Sequence, residues 1–316
     1  MSVGVSEAAQ ELIMGSWRPS TVNHYESFLR RWKDYCVGLD TNWMCMDVRT
    51  CLNFLAFLYG QGLGYSSINT ARSALSSVVT LMDGRSVGSH PLVKKLVRGV
   101  FVSRPPRPRY DRIWDVNVVL NHQRSQEPVD KLDFGLLSHN FVTLLLIVSS
   151  QRCQTLCELS GANVSFASSH VSIGITGLLK TSRPGHQIGS LKLSEYAEDR
   201  SLCVVTYLRE YLKRASELAP PGRELLFITT RPPFNAAATT TVARWTVETL
   251  GKAGVDTSVF KAHSTRSASV SAAKGSVPLE LLLAHAGWSS ATSFARHYDK
   301  PVEGPVVSTA ILNAKK

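Results

Sequence analysis

Hydrophobic residues recur at the spacing of an α-helix through the first third of the chain. After Pro19-Ser20-Thr21, a run typical of a helix start, the apolar positions continue to Cys36. The same spacing returns over residues 47–59, 66–82 and 91–100, and Pro91 suits the first position of a helix. Short helices with one apolar face are stable only when those faces pack together. The sequence therefore predicts a small helical bundle.

Residues 103–112 interrupt this pattern with proline and arginine. The prolines favour an extended, semi-rigid path. The arginines of the segment suit contact with a DNA backbone; they are Arg104, Arg107 and Arg109. We predict a helical domain over residues 1–102, a basic linker over 103–112 and a second domain over 113–316.

The second domain combines helical spacing with a short region of strands. Helices are predicted over residues 116–123, 134–148, 202–215, 242–253, 263–275 and 278–286, and a short helix should run through Leu159. Hydrophobic and polar residues alternate over 171–175, and a return strand is predicted over 188–193 after a turn at 181–185. The predicted fold class is mainly α with a small β-sheet, an α+β arrangement.

The composition adds a preference for an acidic partner. The chain has 35 lysines and arginines against 24 aspartates and glutamates, a formal net charge of +11. This excess favours nucleic acid ahead of a membrane surface, with a merely basic enzyme as the alternative. The longest apolar run, 141–148, is far shorter than the roughly 20 residues that span a bilayer. No signal peptide is evident, so we expect a protein that is neither secreted nor in a membrane.

Charged and sulfur-containing residues refine this picture. Lys94, Lys95 and Arg98 lie on the polar side of the helix predicted over 91–100. Each alone is most simply a solvated residue, but on this basic chain the cluster favours phosphate contacts. The six cysteines form no CxxC pair and no zinc-type set with histidine. We expect free thiols, no metal site and no cofactor.

The reactive residues form a cluster in the last fifth of the chain. His263-Ser264-Thr265-Arg266 places His263 and Arg266 on one helix face, and Tyr298 follows. Together they offer charge neutralisation, proton transfer and a nucleophile, which are the needs of phosphodiester chemistry. Arg152 ends a strongly apolar helix, a costly position unless it has an anionic partner, either a structural carboxylate or a substrate phosphate. Lys180 is predicted to end a strand at a hairpin tip.

The order of these residues resembles the signature of the tyrosine recombinase (phage integrase) family. That signature is an arginine, a hairpin lysine, His-x-x-Arg, a histidine or tryptophan, and a tyrosine. In this chain the members are Arg152, Lys180, His263, Arg266, Trp288 and Tyr298. The resemblance implies an N-terminal helical core-binding (SAM-like) domain and a catalytic domain that close on DNA as a C-shaped clamp.

Two segments, 179–185 and 287–301, look most like recombinases of eukaryotic mobile elements, the DIRS-like and Crypton-like groups. If the protein comes from a eukaryotic mobile element, the resemblance implies a nuclear location. A protein from any other source is expected in the cytoplasm. The resemblance also implies a partner, double-stranded DNA, and a homo-oligomer with a dimer on each site and a tetramer on two sites.

The resemblance implies a mechanism without metal. Tyr298 would attack the scissile phosphate to form a 3′-phosphotyrosine, while Arg152 and Arg266 hold the non-bridging oxygens. His263 would act as general base or hydrogen-bond donor, and Lys180 would protonate the departing 5′ oxygen. Trp288 would donate a hydrogen bond to the phosphate.

Two positions depart from the family pattern. Thr155 stands where members carry an acidic residue, with Glu158 further along, and Trp288 stands where many have histidine, with His285 as a rival. Alternatives are a type IB topoisomerase, a recombinase-derived DNA-binding protein that no longer cuts, and a generic basic scaffold.

Overall fold

The chain folds into two compact units, Met1–Arg107 and Pro108–Lys316, in a computed structural model. The structure describes residues 6–107, 110–185, 187–219, 222–288, 292, 294–295 and 300, with side chains omitted at 45 and 46. The predicted fold class is confirmed, because the chain is mostly helical with a small three-stranded sheet.

The first unit is a helical bundle with one short pair of strands. Its elements are α1 (Glu7–Gly15), α2 (Pro19–Val37), β1 (Cys45–Met46), α3 (Val48–Gly60), α4 (Tyr65–Val78), β2 (Thr80–Leu81) and α5 (Pro91–Ser103). The four predicted helices are present as α2 to α5. Helix α4 was predicted to reach residue 82, but β2 pairs in parallel with β1 instead. The β-branched run Val78-Val79-Thr80 favours that change. Helix α1, which buries no residue, was not predicted.

Local sequence signals explain where these helices begin. The Asp47 carboxylate accepts a hydrogen bond from the Arg49 N–H (2.9 Å) at the start of α3. Pro91 opens α5, where the missing N–H of proline costs nothing. The apolar faces then meet around Trp32, which is fully buried and donates from Nε1 to the Trp43 carbonyl (2.9 Å).

The segment predicted as a linker is attached at both ends. Helix α5 runs to Ser103, and the Arg104 guanidinium donates to the carbonyl oxygens of Tyr59 (2.8 Å) and Leu63 (3.3 Å) near the end of α3. It also lies 3.8 Å over the Tyr59 ring. At the other end, Tyr110 is buried with its ring centroid 5.3 Å from that of Phe260. Arg104 therefore has a structural role within the first unit.

The second unit packs helices around a small antiparallel sheet with strand order β3-β4-β5. Its elements are α6 (Val116–Arg124), α7 (Phe134–Ser149), α8 (Cys153–Cys157), β3 (Leu159–Phe166), β4 (His170–Ile175), β5 (Ser190–Ser194), α9 (Val204–Leu218), α10 (Thr239–Lys252), α11 (Ser264–Ala273) and α12 (Leu279–Ala286).

Helix α7 is the centre of this unit. It is hydrophobic around most of its circumference, as expected of a helix surrounded by other elements. Phe141 and Leu145 are fully buried, and α9 and α10 pack against the helix. The Tyr211 hydroxyl accepts a hydrogen bond from the Ile228 N–H (3.0 Å), which satisfies a polar atom inside the core. None of the described helices is long and apolar enough to cross a membrane.

Two sequence predictions for this unit were wrong. The predicted helix through Leu159 ends at Cys157, because Leu159 begins β3 and pairs with Ile175 of β4. Lys180 does not end a strand, since β4 stops at Ile175 and β5 starts at Ser190. Lys180 therefore lies in the connection between β4 and β5, whose first residue, Thr176, donates from its N–H to the Glu158 carbonyl (2.9 Å).

Truncation of Leu145 should destabilise the protein strongly. Leu145→Ala removes a fully buried side chain from α7 and leaves a cavity, so we expect a loss of about 3–5 kcal/mol in the free energy of unfolding. Leu281→Ala is the matched control, because Leu281 is 62% exposed on α12; it should cost less than about 0.5 kcal/mol. Denaturant unfolding of both variants measures the difference, and equal losses would contradict this description of the core.

Candidate active site

A cleft of about 380 Å³ opens where the starts of α8, α10 and α11 meet. It brings together Arg152 and His263, two of the predicted site residues, although they are far apart in the sequence. Lys261, Gln154 and Thr239 also line it, and no carboxylate does so among the described residues. The cleft is therefore suited to an anion.

Arg152 reaches the cleft through a tight turn. Helix α7 ends at Ser149, and Ser150 adopts the left-handed conformation (φ 51°, ψ 25°), which is uncommon for a residue with a side chain. The chain reverses there, and Arg152 becomes the residue before α8, half-buried and beside the cleft. The sequence placed Arg152 at the end of the apolar helix, whereas α7 ends at Ser149 and Arg152 lies beyond the turn.

His263 and Arg266 lie at the start of α11 in different environments. His263 is the residue before the helix, with helical backbone angles (φ −63°, ψ −23°), and its side chain is exposed. Arg266 is only 1% exposed and donates from Nη2 to the Ala286 carbonyl (2.6 Å). The structure thus places an accessible imidazole one turn from a buried guanidinium.

Trp288 lies against Arg266. The guanidinium carbon of Arg266 is 4.3 Å from the centroid of the Trp288 ring, a cation–π contact. The rival residue His285 is engaged elsewhere, with Nε2 2.9 Å from the Val148 carbonyl at the end of α7. Of the two rivals, Trp288 is therefore the residue that lies against Arg266.

The connection between β4 and β5, which carries Lys180, contacts the residue before Trp288 through Ile188. Lys180 is exposed, in a turn where Leu179 and Ser182 exchange hydrogen bonds of 3.0 and 2.9 Å. Ile188 of the same connection lies against Gly287, where an added Cβ would be 3.0 Å from Ile188 Cδ1. The connection carrying Lys180 is thereby attached to the residue before Trp288.

The predicted nucleophile Tyr298 lies outside the described residues, as does Arg109. Described residues before and after Tyr298 in the chain contact α11. Phe294 is buried with Val270 and Trp288, and the Lys300 carbonyl accepts a hydrogen bond from Ser271 Oγ (2.9 Å).

Sequence reasoning missed Lys261 and Gln151. Lys261 lines the cleft two residues before His263, and that proximity to the His-x-x-Arg motif was the available signal. Gln151 is buried, and its Oε1 accepts a hydrogen bond from Thr155 Oγ1 (3.4 Å). The departure from the family pattern at Thr155 was the available signal, but no feature of the sequence indicated Gln151. Glu158 lies instead against Gly177, in the connection after β4.

Solved structures of DNA-bound integrases share this arrangement of helices and sheet. The Tn1549 transposon integrase with transposon right-end DNA matches with a TM-score of 0.63 and 14% identity, covering 97% of this chain and 96% of that one. The XerH site-specific recombinase bound to palindromic difH substrate matches with a TM-score of 0.57 and 15% identity, covering 86% and 74%. A lambda integrase dimer bound to a COC′ core site gives 0.56 and 15%, covering 92% and 75%.

The fold is that of the tyrosine recombinases. No protein-family model and no curated protein matches the sequence. At identities of 15% and below, the structural likeness establishes the fold alone. The roles of individual residues therefore rest on the sequence pattern and on the geometry of the cleft.

The cysteine that lines the cleft is a poor nucleophile. Burial raises the pKa of Cys153 to about 11, so its thiol is protonated at neutral pH. The reactive form of cysteine is the thiolate. The side chain therefore acts in the wall of the cleft as a small hydrophobic group.

Alkylation should reveal this raised pKa. In the native protein, the rate of iodoacetamide reaction at Cys153 should rise about tenfold per pH unit from pH 7 to 10, because the thiolate fraction grows throughout that range. In the urea-unfolded chain, the rate should level off above about pH 8.5, the ordinary value for cysteine. Mass spectrometry with fragmentation assigns the label. A native rate that levels off near pH 9 would contradict the raised pKa.

Proposed function

We propose that the protein is a site-specific DNA recombinase or integrase that cuts and rejoins DNA through Tyr298. The observation that carries the proposal is the cleft, which brings Arg152 and His263 together within a recombinase fold. Arg266 with Trp288 and the connection bearing Lys180 supply the other members of the family set. The three solved structures described above are themselves bound to DNA, which supports the same partner here.

In the proposed reaction the two arginines neutralise the negative charge of the phosphate. A guanidinium has a planar fork that matches two phosphate oxygens and keeps its charge at all relevant pH values. In this proposal Arg152 and Arg266 hold the non-bridging oxygens and stabilise the charge that develops on them. Loss of one such donor typically raises the barrier by about 3–4 kcal/mol.

The reaction exchanges one phosphorus–oxygen bond for another. The Tyr298 oxygen forms a bond to phosphorus as the bond to the 5′ oxygen breaks, and His263 accepts the tyrosine proton. Lys180 gives a proton to the departing 5′ oxygen. A 5′ hydroxyl from another strand then attacks the phosphotyrosine and reseals the DNA. No step changes an oxidation state, so the reaction needs no oxidant, no reductant and no nucleotide cofactor.

The first unit is proposed to bind the DNA backbone through α5. Lys94, Lys95 and Arg98 are exposed on this helix, and within the described residues none of them forms an ion pair. Unpaired surface cations are suited to phosphate contacts. Arg107 is exposed and remains in the proposed set, whereas Arg104 is bonded to the end of α3. Arg109 is proposed from the sequence alone.

The assembly and the source remain predictions from the resemblance. One matched lambda integrase is a dimer on its core site, which supports a dimer per site here. Another matched lambda integrase is a tetramer bound to a Holliday junction, which supports the proposed tetramer here. The eukaryotic mobile-element origin and the nuclear location are proposed on the resemblance alone.

A second candidate function is DNA binding without cleavage. Thr155 is the observation that favours it, since the family's acidic residue is replaced by a buried threonine. Type IB topoisomerase activity is the other alternative, and relaxation of supercoils without a specific site would favour it.

Tyr298→Phe should abolish a covalent protein–DNA adduct while leaving DNA affinity unchanged, because the variant lacks only the attacking oxygen. The measurement is gel electrophoresis under denaturing conditions after incubation with nicked suicide substrates. Tyr196→Phe is the matched control, because Tyr196 is a 42% exposed tyrosine of the same unit, and it should form the adduct normally. An adduct that survives in Tyr298→Phe would reject Tyr298. Absence of any adduct from the unaltered protein would favour the non-cleaving alternative.

Replacing the 5′ bridging oxygen with sulfur should rescue Lys180→Ala. A thiolate leaves without a proton, so the variant should cleave the sulfur substrate at close to the unaltered rate while remaining slow on ordinary DNA. Arg183→Ala serves as control, because it removes an exposed cation from the same connection and should show no such selective rescue. Lack of rescue in Lys180→Ala would exclude Lys180 as the general acid.

A further inference from the structure

The end of α12 is held by groups from three parts of the chain. The last four carbonyl groups of an α-helix have no partner within the helix. Gly287 is left-handed (φ 68°), which lets its N–H donate to the Ala284 carbonyl (3.0 Å) and the Trp288 N–H donate to the Leu283 carbonyl (2.9 Å). The carbonyls of His285 and Ala286 are left for other donors.

Two side chains from the reactive region satisfy them. Gln151 Nε2 donates to the His285 carbonyl (3.1 Å), and Arg266 Nη2 donates to the Ala286 carbonyl (2.6 Å). Gln151 directly precedes Arg152. The two arginines of the proposed phosphate site are therefore held, one directly and one through its neighbour, to consecutive carbonyls of one helix end.

His285 returns the contact to α7. Its Nε2 lies 2.9 Å from the Val148 carbonyl, and because a carbonyl can only accept, that nitrogen carries the proton and donates. We call the two contacts, Gln151 to His285 and His285 to Val148, the clasp. It joins the end of α7, where Arg152 is positioned, to the end of α12, where Arg266 is anchored.

Thr155 orients the Gln151 side chain. Gln151 is 5% exposed, its N–H donates to Ser149 Oγ (3.3 Å), and its Oε1 accepts from Thr155 Oγ1 (3.4 Å). With the amide oxygen facing the threonine, the amide nitrogen faces the His285 carbonyl. Thr155 stands where an acidic residue is usual in the family, and its neutral pairing with Gln151 avoids the cost of burying a carboxylate.

We propose that Gln151 and His285 are positioning residues that set the separation between Arg152 and Arg266, with Thr155 as the support of Gln151. The inference rests on the proposed function, because both arginines must contact one phosphate. Gln151 and His285 act through the arginines and do not themselves touch the DNA. A displacement of about 1 Å in such a site can slow a reaction about 10²-fold.

The test uses the full chain, with Gln151→Leu and His285→Leu to remove the contacts and His285→Gln to keep an N–H donor. The matched control is Gln126→Leu, which removes a similar amide-to-carbonyl bond (3.1 Å, to His122) from a residue that does not line the cleft. The single-turnover rate of adduct formation at saturating protein is compared with the DNA dissociation constant. Hydrogen exchange at the amides of Gly287 and Trp288 reports on the end of α12.

We expect adduct formation to slow by about 10- to 100-fold in Gln151→Leu and His285→Leu, with DNA affinity unchanged and faster exchange at Gly287 and Trp288. His285→Gln should recover most of the rate, and Gln126→Leu should match the unaltered protein. His285 is exposed, so His285→Leu remains informative if Gln151→Leu fails to fold.

Unchanged rates and exchange in both leucine variants would overturn the inference, as would equal slowing in Gln126→Leu. Failure of His285→Gln to recover the rate would also count against it. If the unaltered protein forms no adduct, the proposed function fails separately. Hydrogen exchange in the two leucine variants then tests the clasp by itself. Selective loss of protection at Gly287 and Trp288 supports the clasp, and unchanged protection rejects it.

Discussion

The buried guanidinium of Arg266 is the group on which the arrangement of the reactive region depends. A charge taken out of water is costly unless polar groups compensate for it. The C-terminal end of a helix carries partial negative charge on its carbonyls, and α12 presents such an end to Arg266. The Trp288 ring adds a face that attracts a cation. Burial of Arg266 therefore requires α11 and α12 to meet at this place.

The same helix end also meets α7. Its remaining carbonyl is bonded to Gln151, and the turn at Ser150 then carries Arg152 to the cleft beside His263. A hydrophobic core around α7 supplies the stability that permits an unfavourable left-handed serine in that turn. The polar contacts select the geometry of the turn, and the apolar packing around α7 offsets its free-energy cost.

Local signals made much of the fold predictable. Helices α2 and α5 begin at the predicted prolines, α3 begins directly after Asp47, and the apolar run of α7 identified a buried helix. Strand β3 was missed, because its outer half is exposed and shows no regular alternation. The position of Lys180 was wrong because β4 ends at Ile175, and the segment that follows it forms the connection to β5.

The sequence by itself determined which residues are proposed for the site and in what order they occur, since Arg152, Lys180, His-x-x-Arg, Trp288 and Tyr298 are recognisable in any conformation. It also determined the helical character, because capping and periodicity act within a few residues. Only the tertiary structure decided which residues meet. It placed Lys261 in the cleft, Trp288 rather than His285 beside Arg266, and Gln151 at the end of α12. Those contacts join residues far apart in the chain, and hydrogen bonds over such separations depend on packing that no local pattern records.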